Sequence, residues 1–263
     1  MLSVRALLTA PLSLLALTLA RASTVTTYAA AGTLTLEALG RDAQRDWREF
    51  GVGQSDLDIA GGLFAWEKDF CLPFLKPSDR ILVVGCGSGR DLLALLDLGF
   101  RVAGLEPVPQ CLALAERRLA ERGLRAELIA GAIETAPLEP RYDVFLFSWF
   151  CYSYIPQRAR RIAALARVRA LLPPDGRVLI SYIRAAPPPR RSLWRLACAS
   201  AWATGAGWRP EYGDVFALRH ETRCIHYEHC FAPAEIEAEA AAAGLTVAVH
   251  DDAGDGNLVL VHG

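Results

Sequence analysis

The sequence predicts an α/β fold: a doubly wound sheet of seven strands, mostly parallel with an antiparallel C-terminal strand, and helices on both faces. Three observations predict it. The short, wholly apolar run Ile81 to Val84 passes straight into a glycine-rich turn and a helix, as a strand buried on both faces of a parallel sheet does. Short apolar runs then alternate with amphipathic stretches as far as Ile183, the pattern of repeated βα units. The chain closes on two apolar runs, Leu245 to His250 and Leu258 to His262, joined by Asp251 to Asn257, which pattern as an antiparallel pair.

The segment Arg80 to Glu106 is the most specific. Gly85, Gly87 and Gly89 lack the Cβ that would block positive φ or the close approach of a ligand, and the turn opens onto a helix N-terminus. That helix is expected from about Arg90 to Leu98, stopped by Gly99, and the next strand, Val102 to Leu105, ends on Glu106. Strand, turn, helix, strand and terminal acid make a nucleotide-binding βαβ unit in which the acid accepts hydrogen bonds from ribose hydroxyls. A dinucleotide site would place a third glycine where this chain has Arg90. The spacing Gly-x-Gly-x-Gly instead resembles motif I of the class I S-adenosylmethionine-dependent methyltransferases, whose loop wraps the methionine part of a ligand that has no phosphate. The resemblance implies a Rossmann-like fold and S-adenosylmethionine as cofactor. It places Gly85, Cys86, Gly87, Ser88 and Gly89 around the cofactor, Glu106 on its ribose and Pro107 among its contacts.

Composition narrows the rest. A chain of 263 residues with 52% hydrophobic content can bury a large core, as one domain or one domain with a lid. A net charge of −1 gives no electrostatic reason to expect nucleic acid. Seven scattered cysteines read as reduced thiols, not a disulfide framework. At the N-terminus, Arg5 precedes an apolar run from Ala6 to Ala20, and Ala20-Arg21-Ala22 has the outline of a secretory cleavage site. The resemblance implies a cytoplasmic enzyme, while residues 1–22 leave membrane association or export as the alternative. The expected division is an N-terminal segment at 1–45, serving as signal, anchor or helix, and a methyltransferase domain at 46–263 with a lid-like insertion at 184–231.

Between these landmarks the elements follow in order. Asp42 to Phe50 reads as a helix, followed by a loop at Gly51 to Ser55, and Phe64 to Leu75 as another helix, stopped at Lys76-Pro77. In relatives a segment here covers the cofactor; Trp47, Trp66 and Tyr28 either serve there or pack. Pro107 and Pro109 start a helix that ends at Gly123, and Ala126 to Ile129 is the third strand. The following Gly131 to Leu138 resembles the family's adenine segment, which assigns Ala132 and Ile133 to the cofactor; Ala132 stands where relatives often carry Asp, leaving backbone groups or Glu134 to hold the base. Tyr142 to Ser148 is the fourth strand, with Ser148 and Trp149 expected at the cofactor. The aromatic loop Trp149 to Tyr154 faces the reacting methyl group, since ligands sit beyond strand carboxyl ends. No Asn/Asp-Pro-Pro-Tyr motif of amino-directed nucleic-acid enzymes is present. Gln157 to Leu172 is an amphipathic helix and Arg177 to Ile183 the fifth strand.

The insertion begins with Pro187-Pro188-Pro189 and carries Arg190, Arg191, Trp194, Arg195, Trp202, Trp208 and Tyr212. These either grip an anionic or aromatic substrate or form an amphipathic cover for the sheet. Cys224-Ile-His226-Tyr-Glu-His229-Cys230 invites a zinc reading, but strand alternation splits His229 from Cys224, His226, Glu228 and Cys230, and no Cys-x-x-Cys pair is present. No metal is expected. Phe231 onward starts a final helix that stops at Gly244.

A sulfonium methyl is already activated, so the protein has chiefly to align the nucleophile and exclude water. A general base is needed only if the acceptor arrives protonated; Tyr152, Tyr154 and His226 are the candidates. Arg90 and Asp91 either contact the cofactor's amino-acid end or cap their helix. The expected activity is methyl transfer to a small-molecule acceptor, with a non-catalytic cofactor-binding protein of the same fold as the alternative. A nicotinamide-dependent oxidoreductase is a third reading, which Arg90 speaks against.

Overall fold

The computed structural model describes residues 4–53, 56–188 and 190–263. Four helices precede the first strand: α1 (Val4–Thr33), α2 (Leu36–Gly53), α3 (Asp56–Gly61) and α4 (Ala65–Cys71). The Thr35 hydroxyl accepts the Ala38 N–H at 3.1 Å and caps α2. That helix is therefore longer than the predicted Asp42 to Phe50, and it takes in Gly51 to Gly53 of the expected loop, whose Gln54 and Ser55 lie outside the described residues. The 45/46 boundary falls inside it. The predicted helix Phe64 to Leu75 divides into α4 and a 3₁₀ turn at Leu72–Phe74, where Pro73 removes a donor.

From there the alternation runs β1 (Arg80–Val84), α5 (Arg90–Asp97), β2 (Arg101–Glu106), α6 (Pro109–Glu121), β3 (Glu127–Ala130), β4 (Val144–Phe147), α7 (Arg158–Leu171) and β5 (Arg177–Tyr182). The chain then enters α8 (Arg191–Thr204) and a hairpin of β6 (Asp214–Arg219) and β7 (Cys224–His229), and ends with α9 (Pro233–Ala242), β8 (Leu245–Asp251) and β9 (Gly256–His262). The main sheet has seven strands in the order β3-β2-β1-β4-β5-β9-β8. Strands β1 to β5 pair in parallel, while β9 runs antiparallel to both β5 and β8. The doubly wound sheet is as the sequence predicts.

Alternation along each strand divides the core. Leu82, Val84, Phe145 and Phe147 pack on one face with Leu165 of α7 and Ile236 of α9. Ile81, Val83, Val144 and Leu146 pack on the other with Leu92 and Leu95 of α5 and Phe70 of α4. A third cluster was not legible in the sequence: Tyr28 and Ala31 of α1 and Leu39 of α2 pack with Ala197 and Ala201 of α8, Trp208, and Phe216, Ile225 and Tyr227 of the hairpin. N-terminal helices and insertion thus form one cap. A Cβ on Gly32 would lie 2.2 Å from the Ala197 carbonyl oxygen, so α1 and α8 touch at backbone distance. Trp208 Nε1 donates to the Leu34 carbonyl at 2.6 Å, and Asp42 accepts the Ile225 N–H at 3.0 Å.

The start of α1 stands apart. Leu12, Leu14, Leu15, Leu17 and Leu19 are exposed, and the helix runs unbroken through the cleavage-like Ala20 to Ala22. Among the described residues no helix is long and apolar enough to cross a membrane.

Candidate functional site

The glycine turn is fixed to the end of β2: the N–H groups of Gly85 and Cys86 both donate to the Leu105 carbonyl, at 2.8 and 3.1 Å. Gly85 and Gly87 hold φ of +70° and +55°, a left-handed conformation that side-chain-bearing residues adopt at a cost. Nothing lies within 4 Å of where a Gly87 Cβ would be, so the turn presents bare backbone to open space. Gly89 differs. Its φ of +99° starts α5, and its absent Cβ makes room for Ala115 of α6 at 3.2 Å. It is a packing glycine and does not line the cavity, unlike Gly85, Cys86, Gly87 and Ser88.

The Glu106 carboxylate faces this turn, one oxygen accepting the Gly87 N–H and the other the Val108 N–H, both at 2.8 Å. Burial pushes its pKa up, and the two amide donors oppose that rise. Two bonds leave about half of a carboxylate's acceptor capacity free. Turn and acid open on a cavity of about 300 Å³ that is also lined by Pro107, Ala132, Ile133, Ser148 and Trp149. The structure thus brings together every cofactor residue predicted from sequence except Gly89. Bare glycine backbone and oriented acceptor beside an open cavity fit a ribose-bearing ligand whose polar end lies along the turn. Arg167 donates to the Ile133 carbonyl at 2.7 Å and fixes the 131–136 loop; Glu134 is paired with Arg160 at 2.7 Å.

Arg90 neither caps α5 nor stands free. Its guanidinium grips both oxygens of Glu67 on α4 (2.8 and 2.6 Å), lies 2.6 Å from Asp91 Oδ1 and bonds the Gly62 carbonyl at 3.1 Å. It also lies over the rings of Phe64 (4.4 Å) and Trp149 (4.7 Å). Asp91 accepts the Ser148 hydroxyl, and burial, opposed by Arg90, pushes its carboxyl up to about 6. Glu67 was missed by the sequence reading. Its one local signal is its place three residues after Phe64, whose N–H it accepts at 2.7 Å as in a capping box.

The chain leaves β4 through two consecutive left-handed residues, Trp149 (φ +43°) and Phe150 (φ +62°). Each costs about 1–3 kcal/mol and persists only where neighbours hold it. Arg90 covers Trp149, Phe150 stacks on Trp66 at 5.5 Å, and the Phe150 N–H donates to Ser181 at 3.0 Å. This turn ends the predicted strand Tyr142 to Ser148 one residue early. It also sets Trp149 at one end of an edge-to-face row: Phe50 at 5.6 Å, Trp47 a further 5.5 Å on, then Tyr154 at 4.6 Å. Trp47 and Phe50 lie on the face of α2 that roofs the cavity with Leu39 and Ala43. Of the three aromatics weighed for a covering role, Trp47 lines the cavity; Trp66 and Tyr28 pack.

Two catalytic candidates are displaced. Tyr152 is fully buried beneath the site and donates to Glu239 at 2.8 Å, a carboxylate that Arg161 also grips. Its hydroxyl never reaches the cavity. His226 lies behind the rings of Trp47 and Tyr154, with Nδ1 on Asp46 at 2.7 Å and Nε2 3.5 Å from Glu228, and it latches the hairpin to α2. Tyr154 does line the cavity, and burial raises its phenol. The insertion's arginines and tryptophans do not grip a ligand there: Trp194 and Trp208 donate to the Pro210 and Leu34 carbonyls, Arg191 covers Tyr212, and Trp202 is 87% exposed. The hairpin contributes Tyr227 instead. His229 binds Asp214 at 2.7 Å; these two and Glu211 cluster at metal-binding distances, but Arg161 already occupies Glu211 at 3.0 Å.

Comparison with known proteins bears on this geometry. The chain is 34% identical over 138 residues to a ribosomal protein L11 methyltransferase of Thermus thermophilus, covering 52% of this chain and 48% of that protein. It is 28% identical over 167 residues to a ubiquinone biosynthesis O-methyltransferase of Azorhizobium caulinodans, covering 63% and 58%. The chain thus spans about half the length of the curated relatives it matches. In fold it is similar to an S-adenosylmethionine-dependent methyltransferase from Methanosarcina mazei, with a TM-score of 0.57 at 18% identity over 76% of this chain and 98% of that one. The family model described as a methyltransferase domain matches residues 81–176. That stretch, which builds both the glycine turn and the acid-tipped strand, is similar to a methyltransferase domain, and the fold around it is that of S-adenosylmethionine-dependent methyltransferase structures.

Proposed function

We propose that the chain transfers the methyl group of S-adenosylmethionine to a small-molecule acceptor held between the glycine turn and α2. The observation that carries this is the Glu106 carboxylate, aimed by the Gly87 and Val108 amides and keeping acceptor capacity toward the cavity. When bound, the cofactor supplies an activated methyl on a sulfonium. The chain's own work is placement: the turn at Gly85 to Ser88 cradles the amino-acid end, Glu106 holds the ribose hydroxyls, and Ile133 lines adenine. The roof of α2 excludes water from the reacting atoms. That roof supports a small acceptor over a protein one, since residues of α2 and Tyr227 of the hairpin line the cavity.

A non-catalytic protein of this fold would be favoured if its own side chains filled the space beyond Trp149. The cavity remains open there. The test is calorimetric titration of the intact chain with S-adenosylmethionine and with its demethylated product, beside Glu106→Ala. Micromolar binding, weakened by about 1–2 kcal/mol in the variant, supports the reading; no binding to the intact chain overturns it.

A further inference from the structure

We infer that the acceptor is an uncharged aromatic molecule that offers an aryl or ring nitrogen to the methyl group. This rests on the methyltransferase reading above and adds the acceptor's chemistry. The first observation is the wall. Trp149, Phe50, Trp47 and Tyr154 form a continuous row of rings along the part of the cavity beyond the end of β4, with centroids 5.6, 5.5 and 4.6 Å apart. Such a surface favours a flat apolar body.

The second observation is what the wall lacks. Among the described residues, every charged side chain lining the cavity is already engaged: Arg90 with Glu67 and Asp91, Asp91 also with Ser148, Glu106 with two amides, and Glu134 with Arg160. Each lining cation already has a carboxylate partner, with which a carboxylate or phosphate on the acceptor would have to compete. His226, the one imidazole nearby, is behind the rings and committed to Asp46.

The absence of a free base selects the nucleophile. A phenol or alcohol must lose a proton before it attacks, and an aliphatic amine arrives protonated with no lone pair to give. An aryl or ring nitrogen keeps its lone pair at neutral pH. That pair forms the new N–CH₃ bond as the S–CH₃ bond breaks; sulfur keeps the bonding pair and becomes a thioether, and the positive charge passes to nitrogen. Where the nitrogen bore hydrogen, the product sheds a proton to solvent afterwards. One positive charge therefore stays in the cavity throughout, and aromatic faces beside two carboxylates stabilise it. An anionic nucleophile would erase that charge where nothing compensates.

The experiment uses the full chain with S-adenosylmethionine, after titration has established cofactor binding, and three probes: quinoline, 1-naphthol and cyclohexylamine. Mass spectrometry reads methylated products. The expected result is N-methylquinolinium, with kcat/KM flat from about pH 6 to about pH 9 because no protein group has to lose a proton. Trp47→Ala is expected to raise KM for quinoline about tenfold, a larger factor than any loss of cofactor affinity. Preferred methylation of naphthol or cyclohexylamine, or no turnover of any probe by cofactor-loaded protein, overturns the inference. Failure to bind cofactor at all overturns the methyltransferase reading beneath it.

Discussion

The cradle and the cap are built on opposite terms. The cradle, from Arg80 to Trp149, takes its geometry from backbone and from the buried carboxylates of Asp91 and Glu106, and its residues follow one another closely along the chain. The cap joins α1 and α2 to α8 and the hairpin, across more than a hundred residues, through Trp208 on Leu34 and Asp46 on His226. The cradle lies almost wholly within the stretch that is similar to a methyltransferase domain, and the cap lies outside it. On the proposed function, recognition of the cofactor is local, while recognition of the acceptor is assembled at long range.

The largest effect that sharpens this contrast is expected at Arg90. Arg90→Ala leaves Glu67 and Asp91 buried without their cation, a loss of about 3–5 kcal/mol; denaturant unfolding measures it, and a loss under about 1 kcal/mol would detach the cradle from its charge cluster. A smaller effect belongs to the cap. Gly32→Ala drives a methyl into the Ala197 carbonyl and costs about 1–3 kcal/mol. It should also weaken acceptor turnover more than cofactor binding.

The smallest effect is read as a slope. Burial holds Asp91 at a pKa of about 6 against an ordinary 3.8, so the native state binds its proton more tightly than the unfolded chain. The Asp91 contribution to stability therefore falls as pH rises from about 4 to about 6. Asp91→Asn should remove that contribution; an unchanged slope in unfolding titrations across this window counts against a buried, proton-holding Asp91.

The same contrast explains what was legible. Gly85, Gly87 and Glu106 were readable because a positive-φ turn and an acid at a strand end leave residue-type signatures within one βαβ unit. Tyr152 misled because an aromatic just past a strand end has the same sequence signature whether it faces a ligand or, as here, the buried Glu239. Gly89 misled because a glycine that admits Ala115 reads like one that admits a ligand. The cap was opaque for a different reason: nothing in the composition of α1 or of residues 184–231 specifies which distant surface each will bury. β6 went unread because its ladder is defined only by pairing with β7.

The most direct test of the division between cradle and cap is amide hydrogen exchange of the intact chain with and without S-adenosylhomocysteine. Ligand binding slows exchange where it suppresses opening. The expected result is slowed exchange across residues 85–88, 106–108 and 131–134, with the 214–229 hairpin unchanged. Protection confined to the hairpin, or none in the glycine turn, would contradict the account.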